Sequence, residues 1–223
     1  MRSGAGTITE VFLTRPGTAR ITCEPGLIPG PGQYLLADIQ DDRAGVLPVP
    51  IFPAGMMDGG FLVAAPLPSH WLPGTSLHLR GPLGQGFHLP AAARAVALAA
   101  LGDTPDRLAA LIAPALAQGA AVSLLCDQLP AGLPNDVEIM PASTLPEIGK
   151  WADYLALDLP REKIQSISGL LKRSTISDLA QILLTTPMPC GGRGDCGVCA
   201  VNINRSYKLI CKDGPVFELN LFL

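Results

Sequence analysis

Four of the six cysteines fall within 22 residues near the C-terminal end, in the stretch Pro189-Cys190-Gly191-Gly192-Arg193-Gly194-Asp195-Cys196-Gly197-Val198-Cys199 and, beyond it, at Cys211. The spacing is C-x5-C-x2-C-x11-C. Four thiolates are what a [2Fe–2S] cluster requires, two for each iron. Gly191, Gly192, Gly194 and Gly197 fit the same chemistry. A loop that curls round a cluster turns several N–H groups inward toward sulfur, and glycine adopts the backbone angles this needs at little cost. A structural zinc site also takes four cysteines, but usually as two C-x2-C pairs, and here Cys196 and Cys199 are the one such pair. Disulfides would require export, and unrelated buried cysteines would not cluster among glycines. The pattern therefore predicts a [2Fe–2S] site ligated by Cys190, Cys196, Cys199 and Cys211, with backbone N–H groups of Gly191, Gly192, Gly194 and Gly197 facing the cluster sulfurs; zinc is the alternative.

The rest of the chain must position that loop. With 223 residues, 48% of them hydrophobic and 16% charged, it can bury a substantial core. A net charge of −3 without a long basic run argues against nucleic acid as a partner. No stretch reaches 18 unbroken apolar residues, so no membrane span is expected. Met1–Thr7 has no apolar signal core, and free cysteines suit a reducing compartment, so a cytoplasmic location is expected.

The 24 glycines and 22 prolines favour a turn-rich, partly β architecture. Residues 1–90 read as short strands, Thr7–Leu13, Ala19–Cys23, Gln33–Ile39, Gly60–Ala65 and Ser76–Arg80. Turns at Arg15-Pro16-Gly17, Pro29-Gly30-Pro31-Gly32 and Pro73-Gly74 break them, and the pattern predicts a small antiparallel barrel. Residues 91–165 change character. Strands are expected at Ala95–Ala100, Ala120–Cys126, Val137–Met140 and Tyr154–Leu157. A helix over Pro105–Gln118 carries Leu108, Leu111, Ile112 and Leu116 on one face, which gives an α/β unit with a parallel sheet. Residues 166–223 form the expected cluster domain, entered by a short helix over Ser177–Leu184 with Ser174 or Ser177 as cap. The expected fold is thus α+β and multi-domain. Cys23 and Cys126 read as packing residues. Asp106, Arg107, Glu162 and Lys163 read as solvated surface, and His70, His78 and His88 form no constellation. The apolar stretch Val216–Leu223 reads as packing in the cluster domain.

This order of parts resembles the electron transfer subunit of class 1B dihydroorotate dehydrogenase, within the ferredoxin–NADP reductase-like family. The residues carrying the resemblance are Pro31-Gly32-Gln33-Tyr34, Gly81-Pro82-Leu83-Gly84-Gln85-Gly86-Phe87, the cysteine loop, and Cys211-Lys212-Asp213-Gly214-Pro215-Val216-Phe217. The resemblance implies an FAD-type barrel, a nicotinamide-dinucleotide-type α/β domain, and a cluster passing electrons to a flavin-containing partner subunit in a hetero-oligomer.

The chain departs from that family where nucleotides would bind. The family's flavin motif, Arg-Pro-x-Ser, corresponds to Val49-Pro50-Ile51-Phe52, which lacks the cation and the hydroxyl. The pyrophosphate loop is replaced by Pro66-Leu67-Pro68-Ser69-His70-Trp71, whose prolines cannot donate. The glycine-rich turn is reduced to Leu101-Gly102-Asp103-Thr104-Pro105, where Asp103 reads as a helix N-cap. The first three cysteines are spaced as in adrenodoxin-type ferredoxins, one residue wider than C-x4-C-x2-C. The expected function is an iron–sulfur electron-relay subunit with no catalytic residues of its own. It would carry a [2Fe–2S] cluster, with FAD as an open alternative and NAD(P) not expected. The alternatives are an FAD-binding, NADH-oxidising reductase subunit and a zinc-stabilised interaction module.

Overall fold

The computed structural model describes residues 1–12, 17–39, 47–128, 132–171, 176–203 and 206–223, with the side chain of Ser168 left aside. Leu13, Arg15, Pro16 and Ser174, which figured in the expectations above, lie outside the described residues.

Seven strands, β1 (Arg2–Val11), β2 (Ala19–Cys23), β3 (Tyr34–Ile39), β4 (Val49–Ile51), β5 (Pro53–Met57), β6 (Gly60–Val63) and β7 (Ser76–Leu83), form an antiparallel sheet. Its order is β4-β3-β7-β1-β2-β6-β5, and it curls into a half-barrel. The two edge strands, β4 and β5, are separated in sequence by Phe52 alone. Ile8, Ile21, Leu35, Phe61, Leu77 and Leu79 fill the concave side, and Trp71, from the loop after β6, plugs it. The expected strands are present, and β4 and β5 are additional. Pro50 and Pro53 mask them in the sequence, since proline sits in edge strands.

The second sheet is built on β8 (Ala95–Ala100), β9 (Ala121–Leu125), β10 (Val137–Met140), β11 (Tyr154–Pro160) and β12 (Gln181–Thr185), all parallel, with β15 (Val216–Glu218) antiparallel at one edge. The order is β10-β9-β8-β11-β12-β15. The central strands β8 and β11 are apolar, but for Asp158 in β11, because both faces are covered. In β8, Val96, Leu98 and Ala100 face a core with Leu108, Leu111 and Ile112, while Ala97 and Ala99 face the opposite core with Leu155 and Leu157. A hairpin of β13 (Ala200–Ile203) and β14 (Ser206–Leu209) follows the cysteine loop. The sheet continues past residue 165, so residues 166–223 contribute β12 and β15 to it as well as the cysteine loop.

Several expectations are corrected. Ser177–Leu184 is not a helix. Ser177 caps a turn by accepting the Leu179 N–H at 3.1 Å, and Gln181–Thr185 is the buried strand β12. The helix over 105–118 is broken into α1 (Asp106–Ala109) and α2 (Ile112–Ala117). Asp103 does not cap it; the Thr104 hydroxyl accepts the Asp106 N–H at 3.2 Å. Asp106 and Arg107 are not solvated but 6% and 7% exposed, because α1 is pressed between the two sheets. Arg107 Nε donates to Asp158 Oδ2 at 2.7 Å, and its Nη1 donates to the Ala65 carbonyl at 3.2 Å. Burial pushes the Asp158 carboxyl up while the Arg107 guanidinium pulls it down, and burial prevails. Glu162 and Lys163 are exposed as expected. The C-terminal stretch packs as expected: Leu219 is fully buried, and Phe217 meets Phe222 edge to face at 5.9 Å.

Candidate metal centre

After β12 the chain turns through Pro187–Cys190 and folds the cysteine loop onto the half-barrel. Gly191, Gly192, Gly194 and Gly197 have φ of +61°, +73°, +77° and +70°, the left-handed region that side-chain-bearing residues avoid. This winding gathers the thiols. The Cys190 thiol lies against that of Cys196, and the Cys211 thiol against those of Cys199 and Cys190. All four sequence-predicted ligand residues are therefore in one place. Cys199 and Cys211 are buried, Cys190 is half-buried and Cys196 is exposed. Cys211 sits on a short helical turn (Ile210–Asp213) whose start is held by Asp213 Oδ2 accepting the Leu209 N–H at 2.7 Å.

The electrostatics of the four thiols differ. Burial pushes Cys190 up, but the N–H groups of Gly194, Asp195 and Cys196 and the Cys196 thiol all stabilise its thiolate, and the result is lowered to about 7. Burial, with the neighbouring Cys199 and Cys190 sulfurs, pushes Cys211 up to about 12. Four thiolates packed this closely require a cation among them, since each anion raises the others. The donor set fits a thiolate-ligated metal centre. Asp195 is a group the sequence did not single out: its carboxylate lies within 4.8 Å of the Cys190 and Cys196 sulfurs. It also pairs with Arg193 at 3.2 Å on the exposed rim.

Tyr34, part of the Pro31-Gly32-Gln33-Tyr34 motif, has a place in the site that its sequence does not reveal. It is fully buried, and its hydroxyl donates to the Cys211 carbonyl at 2.7 Å. Burial, then the Cys211, Cys199 and Cys190 thiols beside it, push that hydroxyl well above its ordinary pKa, so it stays a donor. Cys23 and Cys126 pack as expected, each thiol pushed up by burial and by the neighbouring Glu24 or Asp127.

The fold implies FAD as well, and the residues present do not fit it. Val49, Pro50, Ile51 and Phe52 offer no cation or hydroxyl. The Ala65 N–H, just before the replaced loop, donates to the Asp106 carboxylate at 3.5 Å, so this donor is already taken by an anion of the chain itself. Phe52, Ala54 and Ala64 are buried in one continuous core with Leu184, Met188, Cys199 and Cys211. In the α/β half, which the resemblance assigns to a nicotinamide dinucleotide rather than FAD, the pocket beyond the carboxyl ends of β8, β9 and β10 is 240 Å³ and is lined by Asp103, Asp127 and Lys163 among others. That is below the usual 300–1,000 Å³ range of small-molecule sites, and two of those three are carboxylates, which repel a pyrophosphate.

A family model for the iron–sulfur cluster binding domain of dihydroorotate dehydrogenase B matches residues 186–222. The whole chain resembles the structure of an NADH-dependent reduced ferredoxin–NADP oxidoreductase, described for flavin-based electron bifurcation. The identity is 16%, with 96% of this chain and 88% of that one covered at a TM-score of 0.75. The ferredoxin reductase in carbazole 1,9a-dioxygenase, in its FAD apo form, is 15% identical over 81% of this chain and 66% of that one, at 0.59. A Neisseria gonorrhoeae ferredoxin NADP+ reductase with bound FAD and NADP is 11% identical over 82% and 99%, at 0.57. The fold is that of ferredoxin–NADP reductases, with an iron–sulfur domain at its C-terminal end.

Proposed function

We propose that this chain, an iron–sulfur electron-transfer subunit similar to that of dihydroorotate dehydrogenase, relays single electrons to or from a flavin-containing partner subunit. Cys190, Cys196, Cys199 and Cys211 ligate the [2Fe–2S] cluster that supplies this one-electron chemistry. The observation that carries the reading is the convergence of these four thiols in the segment that the family model matches, with the N–H groups of Gly194, Asp195 and Cys196 aimed at the Cys190 sulfur. Those N–H groups favour thiolate over thiol at neutral pH, the state a metal ligand needs. Tyr34 and the buried side of the loop exclude water from Cys199 and Cys211.

The exposed side is where a partner meets the site: Cys196 is exposed, as are Val198, two residues on, and Tyr207 on β14, at 45% and 77%. Apolar side chains at the edge of a redox centre suit close docking, because electron transfer requires short distance and little else from the surface. Among the described residues no helix is long and apolar enough to cross a membrane. The free thiols fit a reducing compartment such as the cytoplasm.

The test is anaerobic purification, with iron, acid-labile sulfide, zinc and flavin measured on one sample. The expected result is a brown protein with about two irons and two sulfides per chain, a signal in electron paramagnetic resonance on reduction, and loss of both in Cys199→Ser. A colourless protein with one zinc, or flavin without iron, overturns the reading.

A further inference from the structure

The segment carrying Cys199 is gripped from outside the loop by a side chain of the parallel sheet. Arg161 directly follows β11. Its Nη1 donates to the Val198 carbonyl and, at 3.3 Å, to the Ala200 carbonyl. These are the residues on either side of Cys199. In a trans peptide the carbonyl and the following N–H point opposite ways, so fixing the Val198 carbonyl on Arg161 turns the Cys199 N–H away from Arg161. The Arg161 side chain is 29% exposed, so its charge is partly desolvated.

The other charges near the loop are placed differently. Arg80 lies beside Gly191 from the barrel side, and the Lys212 alkyl chain lies beside Gly194. Arg193 is 71% exposed and screened by solvent, and it pairs with Asp195 at 3.2 Å on the surface. Glu162 touches Arg161 Nη2 at 3.5 Å from a side chain that is 62% exposed, a surface pair that offsets little of the guanidinium charge. Lys163 is turned to the Leu101 carbonyl at 3.0 Å. Arg161 differs from these in being hydrogen-bonded to the backbone on both sides of a ligand cysteine.

We propose that Arg161 is a positioning residue of the cluster site and that its charge raises the one-electron reduction potential there. The inference rests on the cluster reading given above. Reduction adds one negative charge to the centre, and a fixed cation at the surrounding backbone favours the more negative state. No bond is made or broken; one electron enters from a chemical reductant such as dithionite.

The test is a redox titration of the intact protein followed by electron paramagnetic resonance. Arg161→Gln is expected to lower the equilibrium constant for reduction about tenfold, which for one electron is about 59 mV. Arg161→Lys, which keeps the charge and loses the forked donor, should stay near wild type in potential while releasing iron to a chelator faster. Glu162→Gln, which removes the nearby carboxylate, should raise the constant about twofold. Raising the salt should narrow the Arg161→Gln difference, because the guanidinium is partly exposed. If Arg161→Gln holds wild-type iron and sulfide with an unmoved midpoint, or if the Gln and Lys variants shift alike, the inference is overturned while the cluster reading stands. If Arg161→Gln does not hold iron, Glu162→Gln decides: an unmoved midpoint there overturns it too. Absence of iron from the wild-type protein is a different result and overturns the cluster reading itself.

Discussion

Replacing Tyr34 by phenylalanine tests whether the half-barrel holds the cysteine loop. Tyr34 is fully buried and its hydroxyl makes a 2.7 Å hydrogen bond to the carbonyl of Cys211, itself 3% exposed. The substitution keeps the ring and its tilted contact with Phe52, whose centroid lies 5.8 Å away, so no large cavity opens. What is lost is one donor, and what remains is a buried carbonyl without a partner. The net worth of a neutral hydrogen bond is about 0.5–1.5 kcal/mol, and stranding a buried acceptor costs about 1–3 kcal/mol, so the loss expected is about 1–3 kcal/mol. With a urea slope of about 2–3 kcal/mol per molar, the unfolding midpoint should fall by about 0.3–1.5 M at unchanged slope. The loosened Cys211 turn should also give up iron faster to a chelator. A midpoint within about 0.1 M of wild type, together with an unchanged rate of iron release, would refute the reasoning, because the barrel would then not be coupled to the loop through this residue.

Two further changes have outcomes set by the geometry. Gly84 has φ of +74°, and a Cβ there would stand 2.5 Å from Pro215 Cδ and 2.6 Å from the Gly214 carbonyl. Gly84→Ala should cost about 2–5 kcal/mol in denaturant unfolding, from left-handed strain plus overpacking, whereas Gly119→Ala, at φ +76° with nothing within 4 Å, should cost about 1–2 kcal/mol of strain alone. Asp153 Oδ2 accepts the N–H groups of Arg94 and Ala95 at 2.9 and 3.0 Å, which lowers its pKa from 3.8. A carboxyl lowered in the folded state stabilises it above the unfolded pKa and ceases to as pH falls through the folded value. The stability advantage of wild type over Asp153→Asn should thus be full above about pH 5 and vanish in stronger acid, as followed by acid unfolding of both proteins.

The parts of the fold that were legible in the sequence are those decided locally. Ala95–Ala100 and Tyr154–Leu157 are short apolar runs, the length and pattern of a doubly covered strand, and the glycines of the cysteine loop announce left-handed backbone by type. Where the deciding partner lies far along the chain, the sequence misled. Gln181-Ile182-Leu183-Leu184 suits a buried helix or a buried strand equally. Its state is set by pairing with Ala156–Leu159 on one side and Val216–Glu218 on the other. Asp106 and Arg107 look like surface until Asp158, 51 residues beyond Arg107, is brought beside them. Of the site, the four cysteines were legible from spacing. Tyr34 and Arg161 were not, since nothing near either residue in sequence shows that it reaches the loop.

The stretches that carry the family resemblance and those that depart from it do different physical work here. Gln33 Nε2 donates to the Gly84 carbonyl at 3.3 Å, Phe87 N–H to the Pro31 carbonyl at 2.8 Å, and Gln85 N–H to the Gly214 carbonyl at 2.6 Å. With Tyr34 on Cys211, the three motifs outside the cysteine loop are thus one hydrogen-bonded joint between half-barrel and cluster loop. The departing stretches, 49–52, 66–71 and 101–105, take no part in these bonds. The region around them is filled by the chain itself: Phe52 and Ala64 in the shared core, Asp106 on the Ala65 N–H, and Arg107 bridging Ala65 to Asp158. A joint that needs backbone carbonyls and glycine conformations can thus be kept while the cation, hydroxyl and glycines of a nucleotide site are absent, because none of the latter supports the former. That separation is why the half-barrel makes sense as a rigid base for Cys211, and why the position of the fourth sulfur depends on residues more than a hundred positions upstream.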